Sequence, residues 1–216
     1  VLEGALLTWR TYDNRLFIRE LAIERGWCIL EPERSSRVDC GVILLSNSPM
    51  HLRKELLFPP DSVHIPGGLL AEIEVTPAKS VLLIGVHLIP ELPNTCFSYL
   101  CCNMLNKIMG RDPRILRALA YDALQSHFGT DMPSIIAGDF NDDGNTSAHL
   151  DNFLGKAELV SVMPPAVTVN DGSVPNSIDY VLISHKTVSS VESKVVSMVQ
   201  VSDHDAVWAH CAIELV

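Results

Sequence analysis

The chain has 216 residues, of which 47% are hydrophobic and 19% charged, with a mean hydropathy of +0.21. That excludes a disordered chain and is enough to bury one substantial core, so a single domain over residues 1–216 is expected. A formal net charge of −10 argues against a broad basic surface, since non-specific affinity for nucleic acid comes from Lys and Arg neutralising phosphates, although a metal bound in a site inverts the field locally.

In chain order, the first helix is predicted over Asp13–Arg25, where Leu16, Ile18, Leu21, Ala22 and Ile23 recur at helical spacing before Gly26, a natural stop. Short apolar, β-branched runs closed by turn residues predict buried strands near Trp27–Leu30, Val42–Ser46, Leu70–Val75 and Val81–Leu88. A second helix is predicted over Pro113–His127, opened by proline in its first turn, with Ile115, Leu116, Leu119, Ala120, Ala123 and Leu124 apolar. Strand Ser134–Ala137 follows, then a third helix over Thr146–Leu154, capped by Asn145 and closed by Gly155. Strands Ile178–Ser184, Lys194–Val201 and Ala206–Glu214 complete an α/β layered domain.

The longest apolar run, Val81–Pro90, is interrupted by Gly85 and His87 and falls short of the roughly 20 residues a membrane-spanning helix needs. Six cysteines show no CxxC spacing, and the adjacent Cys101 and Cys102 make a poor disulfide framework. Zinc is therefore not expected, and an intracellular, reducing compartment (cytoplasm or nucleus) is. The chain opens on Val1 with no leader pattern, which reads as an excised piece of a longer protein.

Four places carry chemistry. The apolar strand Ile135-Ile136-Ala137 runs into Gly138-Asp139-Phe140-Asn141, so a carboxylate and a carboxamide two residues apart point to one side where the strand leaves the core. They suit a base and a hydrogen-bond donor acting on one phosphate, although alone an Asp and an Asn after a strand only build a turn. In Ser202-Asp203-His204-Asp205 a histidine lies between two carboxylates at the mouth of a strand, where it can be held in one tautomer and kept cationic enough to stabilise developing negative charge. Asp179 sits inside the apolar strand Ile178–Ser184, where an unpaired carboxylate is costly, and His204 is its natural partner. His87 ends the run Val81–Val86; alone it would be a satisfied core histidine.

In this order the motifs Val86-His87-Leu88, Gly138-Asp139-Phe140-Asn141, Ile178-Asp179-Tyr180 and Ser202-Asp203-His204 resemble those of the endonuclease/exonuclease/phosphatase superfamily, the group containing deoxyribonuclease I. The resemblance covers residues 40–216 well and the first forty poorly. It implies a four-layer α/β sandwich, two packed mixed β-sheets flanked by helices, with the first strand and its catalytic Asn missing upstream of Val1. It also implies Mg²⁺-dependent (or Mn²⁺-dependent) hydrolysis of a P–O bond. Asp139 would orient or deprotonate the attacking water, and Asn141 would stabilise the pentavalent phosphate. His204, paired with Asp179, and His87 would contact phosphate oxygens, with Asp203 beside the metal.

The family's Gln-Glu element, which supplies the main metal carboxylate, fits in two ways. If Val1-Leu2-Glu3 ends its strand, Glu3 is the metal ligand and Gly4–Thr11 a loop. If Ala5-Leu6-Leu7 is the strand, the element becomes Thr8-Trp9 and the carboxylate is gone. Magnesium demands oxygen ligands, which favours Glu3. The implied substrate is nucleic acid or another phosphodiester, as for a nuclease or a retroelement endonuclease. The alternatives are a phosphatase or phospholipase-type member and a catalytically degenerate binding module.

Overall fold

The structure, a computed structural model, describes residues 4–9, 12–32, 41–57, 67–88, 113–128, 132–142, 148–162, 168, 177–184, 188–198 and 204–213. Its strands are β1 (Gly4–Trp9), β2 (Cys28–Leu30), β3 (Gly41–Ser46), β4 (Met50–Leu57), β5 (Gly67–Thr76), β6 (Lys79–His87), β7 (Ser134–Asp139), β8 (Leu159–Ser161), β9 (Asp179–Ser184), β10 (Val188–Val196) and β11 (Ala206–Ile213). Its helices are α1 (Tyr12–Arg25), α2 (Pro113–Gln125) and α3 (Ala148–Lys156).

Strands apolar on both faces must lie between two layers, and β5 and β6 are of this kind. Leu69, Ala71 and Ile73 pack with Val42 and Leu44 of β3, while Leu70, Leu82, Ile84 and Val86 pack on the opposite face with Ala120, Tyr121 and Leu124 of α2 and Leu150 and Phe153 of α3. The alternate residues of β3, Ile43 and Leu45, meet Ile18 and Ala22 of α1. The result is four layers: α1, the sheet β1-β3-β2, the sheet β4-β5-β6-β7-β9-β8, and α2 with α3.

The six-stranded sheet is mixed, with β6 and β7 parallel and the other pairs antiparallel. Among the described residues the second sheet is the antiparallel trio β1-β3-β2, and β10 and β11 form a separate antiparallel ribbon. The ribbon begins at Val188, earlier than the predicted Lys194, and Val199–Val201 lie outside the described residues.

Helix ends follow local chemistry. Gly26 takes φ 65°, and the amides of Gly26 and Trp27 cap the carbonyls of Ile23 and Ala22 at 3.1 and 2.8 Å. Gly155, expected to close α3, lies inside it; the helix runs to Lys156, and the left-handed residue beyond is Glu158. Asn145 lies outside the described residues. In α2 the buried stripe is Leu116, Ala120 and Leu124 together with Arg117 and Tyr121, whereas the apolar Ile115 and Leu119 are exposed.

Candidate active site

The site begins as a row across the six-stranded sheet. His87 on β6 is the register partner of Asp139 on β7, and Asp139 is the partner of Asp179 on β9. Residues in register on adjacent strands point to the same face, so all three side chains come together where β6 and β7 end and β9 begins.

The parallel approach of β6 and β7 depends on Gly138. Its φ is +146°, and a Cβ there would stand 2.0 Å from the Val86 carbonyl oxygen. Only glycine adopts that conformation without strain.

Within the row, His87 Nε2 lies 3.6 Å from Asp139 Oδ2, an electrostatic contact longer than a hydrogen bond, and both residues are buried. Asp139 Oδ1 accepts the backbone N–H of Asn141 at 2.8 Å. Asn141, in the left-handed region at φ 49°, donates its own side-chain amide to the Leu88 carbonyl at 2.8 Å. These two bonds fix the turn leaving β7. His204, at the entry to β11, places Nδ1 2.9 Å from Asp179 Oδ2. That contact orients the imidazole and leaves Nε2 as its other polar atom.

Ligand atoms of Asp139, Asp179 and His204 lie within 4.8 Å of one another. The second carboxylate beside His204 does different work: Asp205 Oδ1 accepts the Met198 N–H at 2.7 Å, tying the loop of the β10–β11 ribbon.

Thr168, missed in the sequence, joins the last two motifs. Its buried hydroxyl accepts the N–H groups of Ile178 and Asp179 at 3.2 and 3.3 Å, and its carbonyl accepts the Asp205 N–H at 2.7 Å. Its only sequence signal was a hydroxyl within the apolar run Ala166–Val169. Replacing it with the isosteric valine removes the acceptor and leaves the amides, so Thr168→Val is expected to lower stability by about 1–3 kcal/mol in chemical denaturation.

Glu3 and Asp203 lie outside the described residues. Gly4–Trp9, a loop in the placement that makes Glu3 the ligand, is instead a strand. It pairs with β3 from Gly4↔Ser46 to Trp9↔Gly41, because the run Ala5-Leu6-Leu7 can bond its backbone against Leu45-Leu44-Ile43. Thr8-Trp9 therefore ends β1 and brings no carboxylate there.

Two carboxylates and two imidazoles thus converge where β6 and β7 end and β9 begins. The profile of the Endonuclease/Exonuclease/phosphatase family matches residues 8–204, and the chain belongs to that family. No curated protein sequence matches it closely.

Among solved structures, the 3′ phosphatase NExo from Neisseria, bound to product DNA hairpin, is similar at TM-score 0.66 and 14% identity, covering 98% of this chain and 88% of that one. TDP2 of D. rerio, complexed with single-strand DNA product, gives 0.63 and 16%, covering 96% and 84%. A mannosyl-6-phosphatase from Bacteroides thetaiotaomicron gives 0.64 and 15%, covering 98% and 85%. At these identities the likeness is one of fold.

Proposed function

We propose that this chain is a divalent-metal-dependent phosphodiesterase acting on nucleic acid. The observation that carries the reading is the convergence of His87, Asp139 and Asp179 in one register row, with His204 held against Asp179. Asp139 orients or deprotonates the attacking water, and Asn141 stabilises the pentavalent phosphate. His204, its ring set by Asp179, and His87 contact the phosphate oxygens.

The donor chemistry suits Mg²⁺ or Mn²⁺. Asp139 and Asp179 offer oxygen atoms, and Mg²⁺ is commonly held by one or two carboxylates together with substrate phosphate. Asp203 is proposed as a further carboxylate. A metal held there supplies Lewis-acid stabilisation of charge on the phosphoryl oxygens. A nucleic-acid substrate is favoured by the DNA products in the NExo and TDP2 complexes; the mannosyl-6-phosphatase makes a phosphomonoester the alternative to test.

The strand at Gly4–Trp9 supports a second reading, a catalytically degenerate binding module, since Thr8-Trp9 brings no metal carboxylate to the end of β1. The two readings separate in a metal titration with DNA, RNA, bis(p-nitrophenyl) phosphate and p-nitrophenyl phosphate. The enzyme reading predicts turnover with Mg²⁺ or Mn²⁺ that EDTA abolishes and added metal restores. Inactivity on every substrate with both metals would favour the binding module.

A further inference from the structure

A buried ion pair lies directly beneath the turn that carries Asp139 and Asn141. Arg117 of α2 and Asp142 are each 1% exposed. Arg117 Nη1 stands 3.2 Å from Asp142 Oδ1, its Nη2 donates to the Asn141 carbonyl at 2.7 Å, and Tyr121 donates its hydroxyl to Asp142 Oδ2 at 2.8 Å. Burial, reinforced by the Asp142 carboxylate, pushes the Tyr121 hydroxyl far above its usual range, so it remains a donor.

Along the turn, side chains alternate in what they engage. Asp139 and Asn141 meet His87 and the Leu88 carbonyl, whereas Phe140 and Asp142 pack into the helix layer, Phe140 against Tyr121 and Asp142 against Arg117. The guanidinium thus holds the carbonyl of a non-glycine residue at φ 49°, a conformation that L side chains rarely adopt.

Removing a guanidinium and a carboxylate from water is costly, and apolar residues of similar volume commonly replace such a pair without loss of stability. Stability alone therefore does not account for this pair. We infer that Arg117, braced by Asp142 and Tyr121, is a positioning residue that fixes the backbone of Asn141 and so aims its carboxamide and the Asp139 carboxylate at one phosphate. The inference rests on the phosphodiesterase reading for its catalytic consequence and on geometry alone for its structural one.

The test is the double variant Arg117→Met/Asp142→Leu, which removes both charges together, compared with Arg117→Lys, which keeps the charge but loses the fork that reaches carboxylate and carbonyl at once. The readouts are thermal midpoint, amide hydrogen exchange at Asn141, and kcat and KM on bis(p-nitrophenyl) phosphate with Mg²⁺. Both variants are expected to stay folded with a lowered midpoint, since polar groups of the cluster lose partners, to exchange at Asn141 at least about tenfold faster, and to lose kcat by about 100-fold with KM little changed.

Parental exchange and parental kcat in a folded double variant would overturn the inference and leave Arg117 a packing residue. If the double variant does not fold, Arg117→Lys decides by the same measurements. A parent inactive on all substrates would overturn the phosphodiesterase reading instead. Asn141 exchange would still decide positioning: faster supports it, unchanged refutes it.

Discussion

Asp139→Asn is expected to lower turnover by about a thousandfold while leaving the melting temperature unchanged or raised. The carboxylate is buried, faces His87 at 3.6 Å and accepts the Asn141 N–H at 2.8 Å. An amide oxygen can still accept that N–H, so the turn keeps its bond. What disappears is a base and a negative charge, and loss of a positioned general base costs about 10²–10⁴-fold. The shape and that hydrogen bond are kept, so the substitution costs the fold little. His204→Ala should behave similarly in rate, because it deletes the group that Asp179 orients. Steady-state kinetics alongside calorimetry separates the two effects: a large fall in kcat at constant melting temperature is the expected pattern, and equal loss of both would assign these residues to the fold.

Gly138→Ala is expected to have the largest effect on stability. The new Cβ would meet the Val86 carbonyl oxygen at 2.0 Å, with the Val86 carbonyl carbon and nitrogen at 2.9 and 3.0 Å. All three are backbone atoms of the neighbouring strand, so no side-chain rotation relieves them, and φ +146° is strained for any L side chain. The strands must separate where His87 and Asp139 meet. A loss of about 3 kcal/mol or more follows, which in a chain of this size lowers the midpoint by about 10 °C, together with activity. A Gly138→Ala protein that melts like the parent would show that β6 and β7 do not approach as described.

Much of the site was legible because its residues interrupt strong patterns. Gly138-Asp139-Phe140-Asn141 follows an unbroken apolar strand, and Asp179 and His87 are polar residues in apolar runs, so each stands out locally. Their register was not legible, because β6, β7 and β9 are far apart in sequence and their pairing is set by packing on both faces of the sheet. The same limit explains the missed strands. β4 is an edge strand whose Arg53, Lys54 and Glu55 hide its alternation, and a bulge between Leu52 and Lys54 breaks the period; β8 has only three residues. The first strand was ambiguous because apolar residues run across Val1–Leu7, and only pairing with β3 selects Gly4–Trp9. Arg117 was invisible as a core residue: helical periodicity counted its apolar neighbours Ile115 and Leu119, which are exposed, and an arginine is read as surface until a buried carboxylate is seen beside it.

The most direct test of the central claim is hydrolysis of a phosphodiester by the parent in heavy-oxygen water with Mg²⁺, followed by mass spectrometry of both products. The predicted result is one heavy oxygen in the phosphate product and none in the leaving alcohol, with the reaction stopped by EDTA and by Asp139→Asn. Heavy oxygen in the alcohol, or turnover that persists unchanged in Asp139→Asn, would contradict the assignment of P–O hydrolysis to this site.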